Sequence, residues 1–393
     1  MSNYWRLRYA FVGLAACGAS NNAAAAEWSI QPTVIWYFDH DSNRLLTPTN
    51  EVADDAGWLT IDALLKRATE TGEVDIRPEL QIQRFDRDSA LDSNNGSLQL
   101  SATHNAETFS YTASAGYADR STYVSELENT GIIYASARQE AANASAAIAD
   151  QFTERQRIGV QATYADVKYP SGEAVGLIGY RDPAISATYT YGLSPETTLS
   201  AIAFGSRITA PEFGYDSRDA GGRLVGAYIV SPQTSVSAAA GFVHAQINSS
   251  VQIGSDNVNG SLWAVQGTHH SELVAWTLSF TRDLVPSGLG LLIRRDELDL
   301  TAVRSIAPRL DVTFSILAAH NSDLVTNYTG DDRRYLAGTA GLDWHTAPQW
   351  VLSLKVRASE SRIPTDVERF ELATGWQTIV SLLWTPLPWS KSR

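Results

Sequence analysis

The chain has 393 residues, with 30 Lys plus Arg against 43 Asp plus Glu, 7 His and one Cys. A net charge of −13 with no Lys/Arg stripe excludes a nucleic-acid binder, because nothing could neutralise the phosphates. A lone Cys excludes an internal disulfide or a cysteine-based metal cluster, and 10% aromatic residues with 27 Gly and many small polar residues point to pleated strands rather than helices.

Arg6 and Arg8 precede an apolar stretch from Tyr9 to Ala16, and small residues follow to Ala26, the layout of a secretory signal peptide over residues 1–26. Two processing sites compete. Ala24 to Ala26 offers a small-x-small site that leaves Glu27 first, whereas Leu14-Ala15-Ala16-Cys17 reads as a lipoprotein signal with Cys17 lipidated. Cleavage before Glu27 is the preferred reading, since an integral barrel needs no lipid anchor.

Beyond residue 26 no apolar run approaches the roughly 20 residues of a membrane helix. Two-residue alternation recurs instead: Val74, Ile76, Leu80 and Ile82 interleave with polar residues, as do Leu310, Val312, Phe314 and Ile316, and Trp350, Leu352, Leu354 and Val356. The pattern predicts eighteen strands (sixteen is the alternative count), over 28–40, 58–69, 74–85, 95–105, 108–118, 131–146, 156–167, 182–193, 197–207, 221–231, 235–247, 259–268, 273–282, 294–304, 309–319, 334–344, 349–359 and 369–384.

Every second connection is tight, as at Thr71-Gly72-Glu73 and Ser194-Pro195-Glu196, except for 147–155. The others, such as 41–57, 168–181 and 320–333, are longer and rich in Asp, Asn, Ser and Gly. Short turns on one side and long loops on the other are the signature of an antiparallel transmembrane β-barrel. The expected fold is thus all-β: one outer-membrane barrel over residues 27–393, with both termini periplasmic. Trp28, Trp276, Trp344, Trp350 and Trp384 fall near the turns and Trp36 and Trp58 near the loops, as two interfacial belts would require.

With the strands placed, Trp36-Tyr37-Phe38-Asp39-His40-Asp41-Ser42-Asn43 and Phe280-Thr281-Arg282-Asp283-Leu284-Val285-Pro286-Ser287-Gly288 carry a resemblance. The chain resembles the outer-membrane β-barrel proteins encoded with bacterial exopolysaccharide and exosortase systems. The second motif approaches that family's Ser-Arg-x-Leu-x-Pro-Ser-Gly pattern, with Thr281 for the Ser and Asp283 following Arg282 directly. The resemblance implies exopolysaccharide translocation across the outer membrane, with a polysaccharide as substrate and a periplasmic polysaccharide-export protein as partner. The remaining partners expected are outer-membrane lipids and the barrel-assembly machinery.

The alternation assigns Tyr37, Asp75, Arg77, Glu79, Gln81, Gln83, Thr313, Ser353, Lys355 and Arg357 to the lumen face. No connection in this assignment exceeds 41–57, so no long infolded constriction loop is expected. A general or sugar-selective diffusion porin is the alternative reading, ahead of an adhesion barrel or an enzyme. No catalytic group, metal or cofactor is called for. His269-His270-Ser271-Glu272 lies at a short turn without companion ligands, and Asp323, Asp331 and Asp332 lack a calcium-loop frame.

Overall fold

The computed structural model describes residues 26–127, 129, 137–170, 176–249, 254–324, 332–366 and 369–392. The strands are β1 (Glu27–Asp41), β2 (Asp54–Ala68), β3 (Gly72–Phe85), β4 (Ser93–Asn105), β5 (Phe109–Ser121), β6 (Arg138–Thr153), β7 (Gln156–Lys168), β8 (Tyr180–Gly192) and β9 (Thr197–Ala210). They continue as β10 (Tyr215–Ser231), β11 (Thr234–Ser249), β12 (Gly254–His270), β13 (Val274–Pro286), β14 (Leu292–Ala307), β15 (Leu310–Asp323), β16 (Arg333–Ala347), β17 (Trp350–Asp366), β18 (Arg369–Trp384) and β19 (Trp389–Ser392). A short helix, α1 (Thr122–Glu126), follows β5.

Each strand pairs antiparallel with its sequence neighbours, and β1 pairs with both β2 and β18, which closes a barrel of eighteen staves. The short β19 continues the line of β18. Val34 pairs with Trp384 and Ile30 with Trp389, so the C-terminal strand gains one residue across Thr385 to Pro388. Pro386 and Pro388 lack the N–H that a ladder needs, which accounts for the break.

The register carries one parity around the ring. Tyr37, Trp58, Gln83 and Ser93 pair across β1 to β4, and Ser381, Ser353 and Asp343 continue that face across β18 to β16. Hydroxyl pairs Ser114–Ser145, Thr190–Ser200 and Ser235–Thr268, 2.7–2.9 Å apart, occupy the same inner face. The opposite face presents exposed Ile76, Leu80, Ile148, Ile185, Leu224, Phe242, Phe280, Phe314, Leu354 and Val380. Apolar side chains turned outward over a wetted interior define an outer-membrane barrel.

Membrane depth can be read off this outer face. On β17 the apolar run spans Trp350 to Ala358, and past it Glu360 pairs with Arg362. Outward ion pairs sit at the same loop-side height on other strands: Asp119–Arg138 (2.6 Å), Arg207–Asp216 (2.8 Å) and Arg282–Asp296 (2.8 Å). The strands therefore rise beyond the hydrocarbon into a charged collar. Such exposed pairs stabilise by only about 0–1 kcal/mol each, so they mark position more than they hold the fold.

Several sequence expectations change, and strands such as β10, β12 and β17 run four to seven residues further toward the loops than expected. The sixth strand is Arg138–Thr153 rather than 131–146, so the connection expected at 147–155 shrinks to a tight turn at Glu154–Arg155. Its lipid face is mostly Ala142, Ala144 and Ala146, too small to mark a boundary in sequence. Trp36 stacks on Trp350 at 6.4 Å, within the turn-side girdle with Trp384, not near the loops. Trp58 pairs with inward Tyr37 and Gln83, so it belongs to the interior and not to a belt.

The parity makes a test. Leu354→Arg puts a guanidinium in the middle of the apolar band, at a cost of about 2–4 kcal/mol, whereas Gln161→Arg projects into the lumen. Heat-modifiable folded protein recovered from outer membranes is expected to fall sharply for the first and stay near wild type for the second.

Candidate functional site

The site begins where β5 ends. Ser121 donates its backbone N–H to Asn95 Oδ1 (2.8 Å), and α1 turns inward from there. The Leu127 carbonyl accepts from Arg333 Nη2 (3.0 Å), and the Asn129 carbonyl accepts from Asn321 Nδ2 (3.0 Å). Asn129 Oδ1 also accepts from Arg295 Nη1 (3.3 Å). These anchors lie on β14, β15 and β16, halfway around the ring from β5. The chain after β5 thus crosses the lumen and is tied to the far wall. This corrects the expectation that no long infolded loop enters the lumen: β6 starts only at Arg138, which leaves enough chain to make the crossing.

One side of the crossing is filled by the loop after β1. Arg44, 1% exposed, donates to Asp39 and to the Asp54 carbonyl (2.8 Å), and its guanidinium lies 5.3 Å over the Phe85 ring. Gln377 Nε2 also donates to Asp39. Tyr123 of α1 packs edge-on against Phe85 (5.6 Å) and Trp58 (6.3 Å) and accepts from Arg44 Nη1 (3.4 Å). Burial pushes the Tyr123 phenol up to about 12, with the Arg44 charge opposing it. Leu46 reaches across to Ala319, Tyr335, Ala337 and Ala373. A charge-paired, apolar-sealed cover results.

The other side stays more open. Glu126, 1% exposed, accepts from Tyr169 Oη (2.6 Å) and from Gln139 Nε2 (2.9 Å). Burial first, then the Glu126 charge, pushes the Tyr169 phenol far up, which keeps it a donor. Two loops meet where the Ile178 N–H donates to the Gly288 carbonyl (2.9 Å). Gly290 has φ +71°, and a Cβ there would stand 2.7 Å from Ile178 Cγ2, so only glycine fits. A cavity of about 380 Å³ remains between Glu126 and Asn129 on one side and Pro286 to Gly288, Arg295 and Glu297 on the other. A second, of about 280 Å³, lies against β7 to β13 and includes Asp182, Asp219, Arg223 and Asp283.

The ten sequence candidates share the inner parity and cluster on β1, β3, β15 and β17, next to the covered half. Tyr37 lies 6.2 Å from Trp58. Gln83 donates to Gln81 Oε1 (3.0 Å) and accepts from Ser93 Oγ (2.9 Å). Glu79 faces Arg120 at 3.9 Å, Asp75 stands opposite Lys66 and Ser101, and Arg77 opposite Gln99. Thr313 and Lys355 flank Gly341, and Lys355 Nζ is 3.9 Å from Asp343. Arg357 donates to Tyr335 Oη (2.8 Å), and Ser353 is 7% exposed between Ser381 and Asp343.

The sequence reading missed the other wall and the crossing residues. A signal existed for the wall: Asp182, Ser186 and Thr188 alternate with Ile185, Ala187 and Tyr189. None existed for Tyr123 or Glu126. His269 bonds Thr234 (2.8 Å) and stacks on Trp276 at its turn, and among the described residues no group of three or more His, Cys, Asp or Glu is placed to hold a metal ion.

The closed eighteen-strand ring with its apolar outer face defines an outer-membrane β-barrel. No family model matches the chain, and no curated protein matches it. Among solved structures it is similar to Pseudomonas aeruginosa OccK5 (OpdH), at 12% identity and TM-score 0.49 over 92% of this chain and 98% of that one. It is similar also to P. aeruginosa OpdK with vanillate (10%, 0.48, 93% and 99%) and to Acinetobacter baumannii OccAB3 (10%, 0.47, 91% and 99%). The resemblance to exopolysaccharide- and exosortase-associated barrels is therefore corrected: the matched barrels are of the Occ and Opd kind. Exopolysaccharide translocation, the polysaccharide substrate and the export-protein partner go with it. The tethered crossing supplies a physical reason, since it narrows the path a polymer would need.

Arg44→Met leaves Asp39 buried and unpaired, a change that costs about 3–5 kcal/mol in comparable sites. The gel-shift melting temperature of the folded barrel is expected to drop while Arg87→Met, on an exposed side chain, leaves it in place.

Proposed function

We propose that this chain is a diffusion channel for small polar solutes in the Gram-negative outer membrane. Its termini and tight turns face the periplasm, and the export leader ends at Ala26. The observation that carries this reading is the segment after β5, which spans a polar, closed barrel and is bonded to Arg295, Asn321 and Arg333 opposite. A tether of that kind reduces a wide tube to a size-limited aperture. The lumen-face residues Tyr37, Asp75, Arg77, Glu79, Gln81, Gln83, Thr313, Ser353, Lys355 and Arg357 contribute wetted wall, where weak serial contacts let a solute pass.

Liposome swelling tests the reading. Wild-type protein is expected to admit monosaccharides and exclude larger oligosaccharides. Tyr123→Ala removes the ring between Trp58 and Phe85, loosens α1 and is expected to raise both the swelling rate and the size limit. Failure of folded, heat-modifiable protein to admit any small sugar or ion would reject the channel.

A further inference from the structure

The uncovered half of the lumen is unevenly charged. Its upper cavity is lined by Glu126, Glu297 and Arg295, and its lower cavity by Asp182, Asp219 and Arg223, with Asp283 shared between them. Five carboxylates thus face two guanidinium groups. Both cations are already engaged, Arg295 with Glu297 at 2.7 Å and Arg223 with Asp283 at 3.1 Å. Asp182 and Asp219 form no ion pair among the described residues; Asp219 accepts from Ser206 Oγ, and Asp182 Oδ1 is a buried oxygen without a hydrogen-bond partner.

A second, independent observation lies on the wall of the upper cavity. Asn321 is 6% exposed, and its Nδ2 donates to the Asn129 carbonyl at 3.0 Å, which fixes the amide's orientation. Its Oδ1 is then left without a donor. A buried acceptor in that condition is unfavourable, and an N–H group that reaches it relieves the loss. Tyr169 and Tyr180 border the same space, and aromatic faces attract cations.

We propose that this passage selects cations over anions, and favours solutes that carry an ammonium group. Asp182 and Asp219 supply the attracting field, and Asn321 Oδ1 supplies the hydrogen-bond acceptor. A narrow conduit with low-dielectric walls focuses such a field, and rings of carboxylates are how cation pores discriminate. The inference rests on the channel reading and names its solute class.

Planar bilayers holding the full-length protein under a KCl gradient decide it. The reversal potential of the wild type is expected on the potassium side of zero. The double variant Asp182→Asn/Asp219→Asn, checked for the heat-modifiable folded form, is expected to move it toward zero with conductance retained. Asp119→Asn, in the outer collar, is expected to leave it unmoved. With methylammonium replacing potassium on one side, Asn321→Leu is expected to lower the methylammonium-to-potassium permeability ratio. A conducting wild type that reverses at zero or on the chloride side overturns the inference and leaves the channel standing. Absence of conductance overturns the channel itself. An unmoved potential in the double variant removes the role given to its carboxylates, and an unchanged permeability ratio removes that of Asn321.

Discussion

A polypeptide inside hydrocarbon has no water to bond its amides, so every N–H and C=O must find a partner in the chain itself. Closure of β1 onto β18 follows from that constraint. So does the outer face: once no strand edge is left, the only solvent-like surface that the bilayer can meet is the alternate set of side chains, and these are apolar from Trp350 to Ala358 on β17 and from Val74 to Ile82 on β3. The inner set is relieved of that demand. It holds the hydroxyl pairs, the carboxylates and the guanidinium groups.

A barrel of this girth has more interior than its own wall side chains fill, and the loops supply the rest. Arg44 illustrates how. A guanidinium withdrawn to 1% exposure is tolerable only because Asp39, the Asp54 carbonyl and the Phe85 face surround it. The result is a loop fixed in place by its charge, against which α1 can pack Tyr123. On the opposite wall Arg333 plays the matching part, donating to Ser361 and to the Leu127 carbonyl. The crossing segment is held at both ends by buried cations from elements far apart in the chain.

That separation explains what the sequence made visible and what it concealed. Period-two alternation is local, so β3 was legible within two residues and the starts of β15 and β17 within one, while their far ends, where the charged collar breaks the apolar pattern, run four and seven residues beyond the expected strands. β6 was displaced because Ala142, Ala144 and Ala146 satisfy a lipid face without announcing one. Trp58 misled because a Trp near a strand end fits a belt as well as a lumen anchor, and only its pairing with Tyr37 and Gln83 distinguishes them. The crossing was invisible: Arg333 and Leu127 stand 206 residues apart, and nothing in either segment's composition announces the other.

The tether between the two walls also separates two kinds of selective pressure. In an empty tube, bore follows strand number, and any change in what passes would require rebuilding the lipid-facing sheet. On the channel reading the aperture belongs instead to a connection whose described residues, Thr122 to Leu127 and Asn129, bond the inner walls. Substitutions along it can widen, narrow or recharge the opening while the seam, the girdles and the apolar band stay as bilayer and assembly require. On that reading the barrel serves as a chassis, and its permeability is an exchangeable part.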